Sequence, residues 1–394
     1  MPELFNPADV YASANIKPPR VMVAPPKYIQ GAGVLAQTGR YLSIMGCKHF
    51  GLLASQRGHG AEGPVISESL GREGCEAHTA VFAGECSLPE IDKHVEALSA
   101  AAIDCLIAMG GGKCVDAGKC IAYRLGVPVV IVPTLASNDA PCSALSVLYT
   151  PEGVTSGVEL FPQNPACVIV DTAVVAAASA RYLVSGMGDA MATWYEARVC
   201  AANDHARNVL GVRPTMAAGA LGELCASTLY EEGVRAALDV EAGSVTVALE
   251  NVVEANTLLS GIGFESGGLA GAHAYAQGYT NVPHVETNYL HGEMVAMGVT
   301  AQLLMEGEVD EAKRVASFFA RVGLPITLEQ IGLSVGDTAN VDAVVEGARS
   351  FEPFANLPFV VTPEKIRAAM LAGDDLGRAV VADVGDESYR RLHA

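Results

Sequence analysis

The sequence predicts two domains: an N-terminal α/β layer over residues 21–180 and an all-helical domain over 181–394, preceded by an irregular extension, 1–20. Three observations carry this. Up to about residue 180, short Val/Ile-rich runs alternate with segments whose apolar residues recur at helical spacing, the pattern of a mainly parallel sheet with helices on both faces. Beyond that point the strand signals stop, and long Ala/Leu/Glu-rich segments follow, parted by short Gly- or Pro-containing breaks. Half of the 394 residues are hydrophobic and only 18% are charged, so there is enough apolar surface for two cores.

Along the chain, the extension ends in Pro18-Pro19 and is expected on the surface or mobile. Strands are predicted at 21–24, 50–54, 79–83, 105–109, 129–132 and 167–170, with helices at 61–73, 88–101 and 114–125 between them. The rhythm breaks at 144–161, where two alternating runs flank Pro151-Glu152-Gly153 and read as a β-hairpin. Helices are then predicted at 187–202, 214–232, 244–262, 266–278, 291–305 and 308–321. Ligand sites favour domain interfaces, so a cleft between the two domains is the expected place for one.

The net charge is −19, and a field of that sign repels phosphate backbones and anionic lipid. Nucleic acid and membrane surfaces are therefore not expected as partners. The N-terminus has no basic stretch followed by an apolar one, and no run approaches the roughly 20 apolar residues of a membrane span. The ten cysteines include no CxxC pair, and several sit in apolar runs where thiols act as small hydrophobes. These features predict a reduced, cytoplasmic chain.

The stretch Met109-Gly110-Gly111-Gly112-Lys113-Cys114-Val115-Asp116 follows a predicted buried strand and opens a helix. Glycines let a ligand approach the backbone, and a helix N-terminus presents unpaired N–H groups to an anion such as a pyrophosphate. The spacing is neither GxGxxG nor Walker A, and a structural turn would use the same residues. After the next strand, the loop Thr134-Leu135-Ala136-Ser137-Asn138-Asp139-Ala140-Pro141-Cys142-Ser143 offers hydroxyls and a carboxylate where open α/β sheets bind ligands, although an ordinary turn also fits. In the helical half, Asp189, His273 and His291 are candidate ligands, since two His and one Asp would leave a position open on a zinc ion. Their spacing does not announce a metal site, and by pattern alone core or surface histidines plus a capping Asp explain them better.

Taken together, these stretches resemble the glycerol dehydrogenase branch of the iron-containing (group III) alcohol dehydrogenase superfamily, almost end to end. The blocks that carry the resemblance are 82–87, 110–119, 133–149, 189–198 and 254–268. The resemblance implies a dehydroquinate-synthase-like fold, with a Rossmann-like nucleotide-binding domain, a helical domain and the active site in the cleft between them. It places Gly111, Gly112, Lys113 and Asp116 at the pyrophosphate and nicotinamide end of the cofactor, and Thr134, Ser137, Ser143, Leu145 and Tyr149 along the rest of its cleft. Asp189, His273 and His291 fall on the metal ligands, Asp139 on the carboxylate beside the substrate hydroxyls, and Phe264 on an apolar wall near the substrate. It also implies a homo-oligomer.

Three positions refine the resemblance. Thr193 lies four residues after Asp189, where iron-using members resemble Asp-x-x-x-His, so zinc is expected. Thr287-Asn288 replaces a His-His pair common in members, so the substrate rim differs. Ser55 stands at the end of the second strand where many members have an acidic residue that repels a 2′-phosphate. With Arg57 nearby, acceptance of NADP(H) as well as NAD(H) is expected. The resulting expectation is a zinc-dependent enzyme that reversibly converts a small vicinal diol or polyol to a hydroxyketone with NAD(H) or NADP(H). The alternatives are a dehydroquinate-synthase-like lyase or a dehydrogenase of the same fold acting on a different hydroxy compound. A lyase that holds a sugar-acid phosphate needs Lys or Arg, and 254–298 contains neither.

Overall fold

The structure is a computed structural model that describes residues 4–12 and 16–394. Residues 24–178 form the body of one compact unit, and 179–242 with 246–394 form the body of another.

The first unit is built on eight strands: β1 (Tyr28–Gly31), β2 (His49–Ser55), β3 (Glu76–Phe82), β4 (Cys105–Gly110), β5 (Val129–Pro133), β6 (Leu145–Tyr149), β7 (Thr155–Leu160) and β8 (Cys167–Asp171). Six of them make a sheet in the order β1-β8-β5-β4-β2-β3, and every neighbouring pair is parallel. Side-chain alternation splits the central strands between two cores. Leu52, Ala54, Cys105, Ile107 and Met109 point to one face, where Ile66 and Leu70 of the helix Gly63–Arg72 pack. Leu53 and Leu106 point to the other face, against the helices Leu88–Ala100 and Gly112–Leu125. Burial on both faces explains why these strands read as unbroken apolar runs. Strands β6 and β7 form the expected hairpin, which turns through Gly153 at φ 90°.

One expected strand is absent. The run 21–24 lies between Pro18-Pro19 and Pro25-Pro26, which lack the N–H groups a ladder requires. The sheet begins instead at β1, and the segment before it is tied to Arg213. The Arg213 N–H donates to the Pro19 carbonyl, and the Val21 N–H donates to the Arg213 carbonyl.

The second unit is helical. Its long members are Ala180–Ala202, Met216–Glu241, His291–Glu306 and Pro363–Val384. The single helix expected over 244–262 is interrupted by a π-helical turn, Ala255–Leu259, before the fully buried helix Ser260–Gly267. The next helix starts at Gly271 rather than 266, because Gly268 takes φ 105° and ends the preceding one. Among the described residues, no helix is long and apolar enough to cross a membrane.

Candidate functional site

In the α/β unit, the candidate cofactor residues gather at the carboxyl ends of β2, β4 and β5. Gly111 is the N-cap of the helix Gly112–Leu125 in extended backbone. A Cβ on Gly112 would lie 2.7 Å from the Asn138 amide nitrogen, and one on Gly111 would lie 3.3 Å from Leu135. The loop after β5 therefore packs directly on the glycine turn, and the Thr134 N–H donates to the Gly110 carbonyl at 3.0 Å. Both Cβ contacts are with the ends of side chains, so a larger residue there would displace Asn138 or Leu135 from the turn. Thr134 and Asp139 are buried, and Ser137 is half-buried. The Lys113 ammonium lies 2.5 Å from the Glu85 carboxylate and 4.9 Å from the centre of the Tyr149 ring.

Below this loop, Lys119 is a buried hub. Its Nζ donates to the carbonyls of Ala140 (2.9 Å), Ser143 (3.4 Å) and Leu145, touches Ser143 Oγ at 3.4 Å, and pairs with Asp116 Oδ1 at 2.9 Å. Asp116 Oδ2 accepts the Val147 N–H at 3.1 Å. Burial pushes the Asp116 carboxyl up, and Lys119 opposes that shift. Asp116, Ser143 and Leu145, read from the sequence as cofactor contacts, thus meet around an ammonium that fixes the 140–147 stretch.

The end of β2 is also occupied. Ser55 Oγ accepts the Gly58 N–H at 3.3 Å as the N-cap of the helix Gln56–Gly60, and its Cβ would sit 3.2 Å from a Cβ on Gly110. Arg57 is held by Glu62 through two contacts, at 2.9 and 3.3 Å. Of the residues expected to welcome a 2′-phosphate, Ser55 lies beside the glycine turn, and both it and Arg57 already have another partner.

In the helical unit, Asp189, His273 and His291 converge. His273 Nε2 is 3.5 Å and His291 Nε2 is 3.4 Å from Asp189 Oδ1, and one ligand atom from each residue lies within 4.8 Å of the others. Glycines make the approach possible. A Cβ on Gly292, next to His291, would lie 1.8 Å from the Ser185 carbonyl on the Asp189 helix. One on Gly298 would lie 2.2 Å from the carbonyl of Ala272, next to His273. Asp189 is fully buried. Burial alone would raise its carboxyl, but the His291 and His273 imidazoles hold it well below the usual range.

Behind His273 stands Glu196, which lies two turns beyond Asp189 on the same helix and is also fully buried. Its Oε2 is 2.6 Å from His273 Nδ1, and its Oε1 accepts the N–H groups of Ala270 (2.8 Å) and His273 (2.9 Å). The Gln302 side-chain carbonyl accepts those of Gly271 and Ala272 at 2.8 and 2.9 Å. Two side chains thus satisfy all four N-terminal N–H groups of the helix Gly271–Thr280, which no local cap supplies. Burial pushes the His273 imidazole down, yet Glu196 and Asp189 raise it well above its ordinary value. That favours the doubly protonated ring; with Nδ1–H donated to the Glu196 carboxylate, loss of the Nε2 proton would leave a lone pair facing Asp189 and His291, the tautomer a metal ligand needs.

Thr193 does not join the cluster, because its hydroxyl shares a 2.8 Å hydrogen bond with Ser260. Phe264 is buried, on the helix Ser260–Gly267. On the exposed helix Pro283–Asn288, Thr287 donates to the Pro283 carbonyl and Asn288 to the His284 carbonyl. Sequence reading missed the supporting roles of Glu196, Gln302 and Lys119. Glu196 had one available signal, its placement seven residues after Asp189, which puts both carboxylates on one helix face.

A family model for iron-containing alcohol dehydrogenases matches residues 25–172. A glycerol dehydrogenase of Escherichia coli is 45% identical over 361 residues, covering 91% of this chain and 98% of the relative. A glycolaldehyde reductase of Halobacterium salinarum is 39% identical, covering 91% and 98%. The crystal structure of a glycerol dehydrogenase from Schizosaccharomyces pombe superposes with a TM-score of 0.87 at 35% identity, covering 93% of each chain.

Proposed function

Because the chain belongs to the iron-containing alcohol dehydrogenase family, in its glycerol dehydrogenase branch, we propose that it oxidises a small vicinal diol or polyol reversibly to a hydroxyketone, with zinc and a nicotinamide dinucleotide. The observation that carries the proposal is the convergence of Asp189, His273 and His291 on one point, with Glu196 fixing the His273 tautomer. Two imidazoles and one carboxylate suit zinc and leave a coordination position for substrate, and Thr193 brings no fourth protein ligand. When bound, the ion supplies Lewis acidity that eases loss of the alcohol proton, and the nicotinamide accepts the hydride.

The remaining work belongs to the chain. The N-terminus of the helix Gly112–Leu125 offers N–H groups to the cofactor pyrophosphate, and Lys113 adds a positive charge to the extent that it leaves Glu85. Lys119 keeps the 140–147 stretch in one conformation so that the cofactor meets a formed surface. Asp139, in the loop after β5, accepts a hydrogen bond from the second hydroxyl of a diol, which a simple alcohol lacks. NAD(H) binds with Arg57 on Glu62; NADP(H) is accepted to the extent that Arg57 leaves Glu62 for the 2′-phosphate.

The test is absorbance at 340 nm with glycerol, propanediols and butanediols as substrates. Chelation should abolish turnover and zinc should restore it; full activity in a metal-free preparation would overturn the reading. Asp139→Asn should cut turnover with diols while leaving zinc content intact, and loss of zinc in that variant would reassign Asp139 as a ligand. A second reading, reduction of a small hydroxyaldehyde, is supported by the similarity to a glycolaldehyde reductase. Faster turnover of glycolaldehyde than of dihydroxyacetone would select it.

A further inference from the structure

We propose that His49, Glu76 and His78 form a second divalent-cation site, at the end of the sheet away from the glycine turn. His49 opens β2 and Glu76 opens β3, and the parallel register sets these two residues directly opposite one another. Side chains two apart on a strand share a face, so His78 joins them. His49 Nδ1 lies 3.4 Å and His78 Nε2 3.9 Å from the same oxygen, Glu76 Oε2, and one ligand atom from each residue falls within 4.8 Å of the others. The candidate cofactor residues stand at the opposite end of these strands, roughly 20 Å away for a seven-residue strand.

The backbone beneath the cluster is already fixed. The Asp104 carboxylate accepts the N–H groups of Lys48 (2.8 Å) and His49 (3.0 Å), and the Glu76 N–H donates to the Lys48 carbonyl at 2.8 Å. The adjacent cation, Lys48, is directed to the Glu73 carbonyl and the Cys75 sulfur. Two imidazoles with one carboxylate select a zinc-like transition ion over calcium or magnesium, which prefer all-oxygen shells. The three side chains are 51%, 70% and 40% exposed, so an ion binds without burying charge, keeps water in its other positions and exchanges readily. It also clamps β3, the edge strand of the sheet, to β2.

The experiment is calorimetric titration of zinc into the metal-stripped full chain. The wild type should bind two equivalents, the weaker at this site. His273→Ala should keep one weak equivalent, and adding His49→Ala and His78→Ala should remove it. In the His273→Ala background, zinc should raise Tm only while His49 and His78 are present. If His273→Ala does not fold, wild-type chain preloaded with one equivalent is titrated instead and compared with the His49→Ala/His78→Ala chain. A zinc stoichiometry that His49→Ala/His78→Ala leaves unchanged overturns the proposal, as does a weak equivalent that survives the double substitution.

Discussion

Lys119 and Glu196 solve the same problem with opposite charges. In the α/β unit, a buried ammonium collects carbonyl oxygens and one carboxylate, and so fixes the short turn Ala140–Cys142 and its junction with β6. In the helical unit, a buried carboxylate collects two N–H groups and an imidazole, and so fixes the first turn of a helix that is otherwise regular. The loop needs a cation because irregular backbone leaves carbonyls to satisfy; the helix start needs an anion because its N–H groups are the orphans. The difference teaches that Lys119 matters chiefly for conformation, whereas Glu196 also sets the orientation of an imidazole, which under the proposed function would serve a metal.

The largest expected effect comes from removing a ligand rather than its support. His273→Ala should release the metal and lower kcat/KM by about a thousandfold or more, since metal Lewis acidity contributes several kcal/mol. Metal content measured beside activity checks this, and retained zinc with lost activity would show that His273 acts otherwise.

Lys119→Met sharpens the loop side of the comparison. It strands the Asp116 carboxylate and three carbonyls in a buried place, which should cost about 3–5 kcal/mol in denaturant unfolding. The cofactor KM should rise while zinc content stays unchanged. A loss under about 1 kcal/mol would mean that the loop is held by its own turns.

Glu196→Gln separates the two jobs of the carboxylate. The amide oxygen can still accept from Ala270 and His273, so stability should change little. The amide NH₂ then faces His273 Nδ1 and favours the tautomer that protonates Nε2, which should weaken zinc binding about 10- to 100-fold. Equal loss of stability and affinity would reduce Glu196 to a cap. Glu196→Asp, which keeps the charge but shortens the reach, should recover part of the affinity.

The smallest effect is expected at the cofactor end. Glu62→Gln loosens the grip on Arg57, which is itself largely exposed, and should shift the kcat/KM ratio toward NADP by about tenfold or less. Ser55→Asp should shift it the other way. An unchanged ratio in both variants would take Ser55 and Arg57 out of cofactor selection.

The α/β alternation, the hairpin, the glycine turn and the change to helices near residue 180 were legible in the sequence. Each is encoded by neighbours in the chain: period-2 burial, helical spacing, Gly and Pro punctuation. The four apolar residues at 21–24 look like a strand, but the flanking prolines keep the segment from taking a full ladder. The three candidate ligands were nameable, but nothing local ties Asp189 to histidines on two other helices.

Sequence by itself determined the layers, the glycine turn and a set of candidate site residues. Only the tertiary structure decided which charges meet: Lys119 with Asp116, Arg57 with Glu62, and Glu196 with His273. The physical reason is that a buried charge is stable only where distant segments supply its partners, and those distances are set by helix and loop packing. Here the spacing depends on close approaches such as Gly292 on Ser185 and Gly298 on Ala272, where a single methyl group would push the ligand-bearing helices apart.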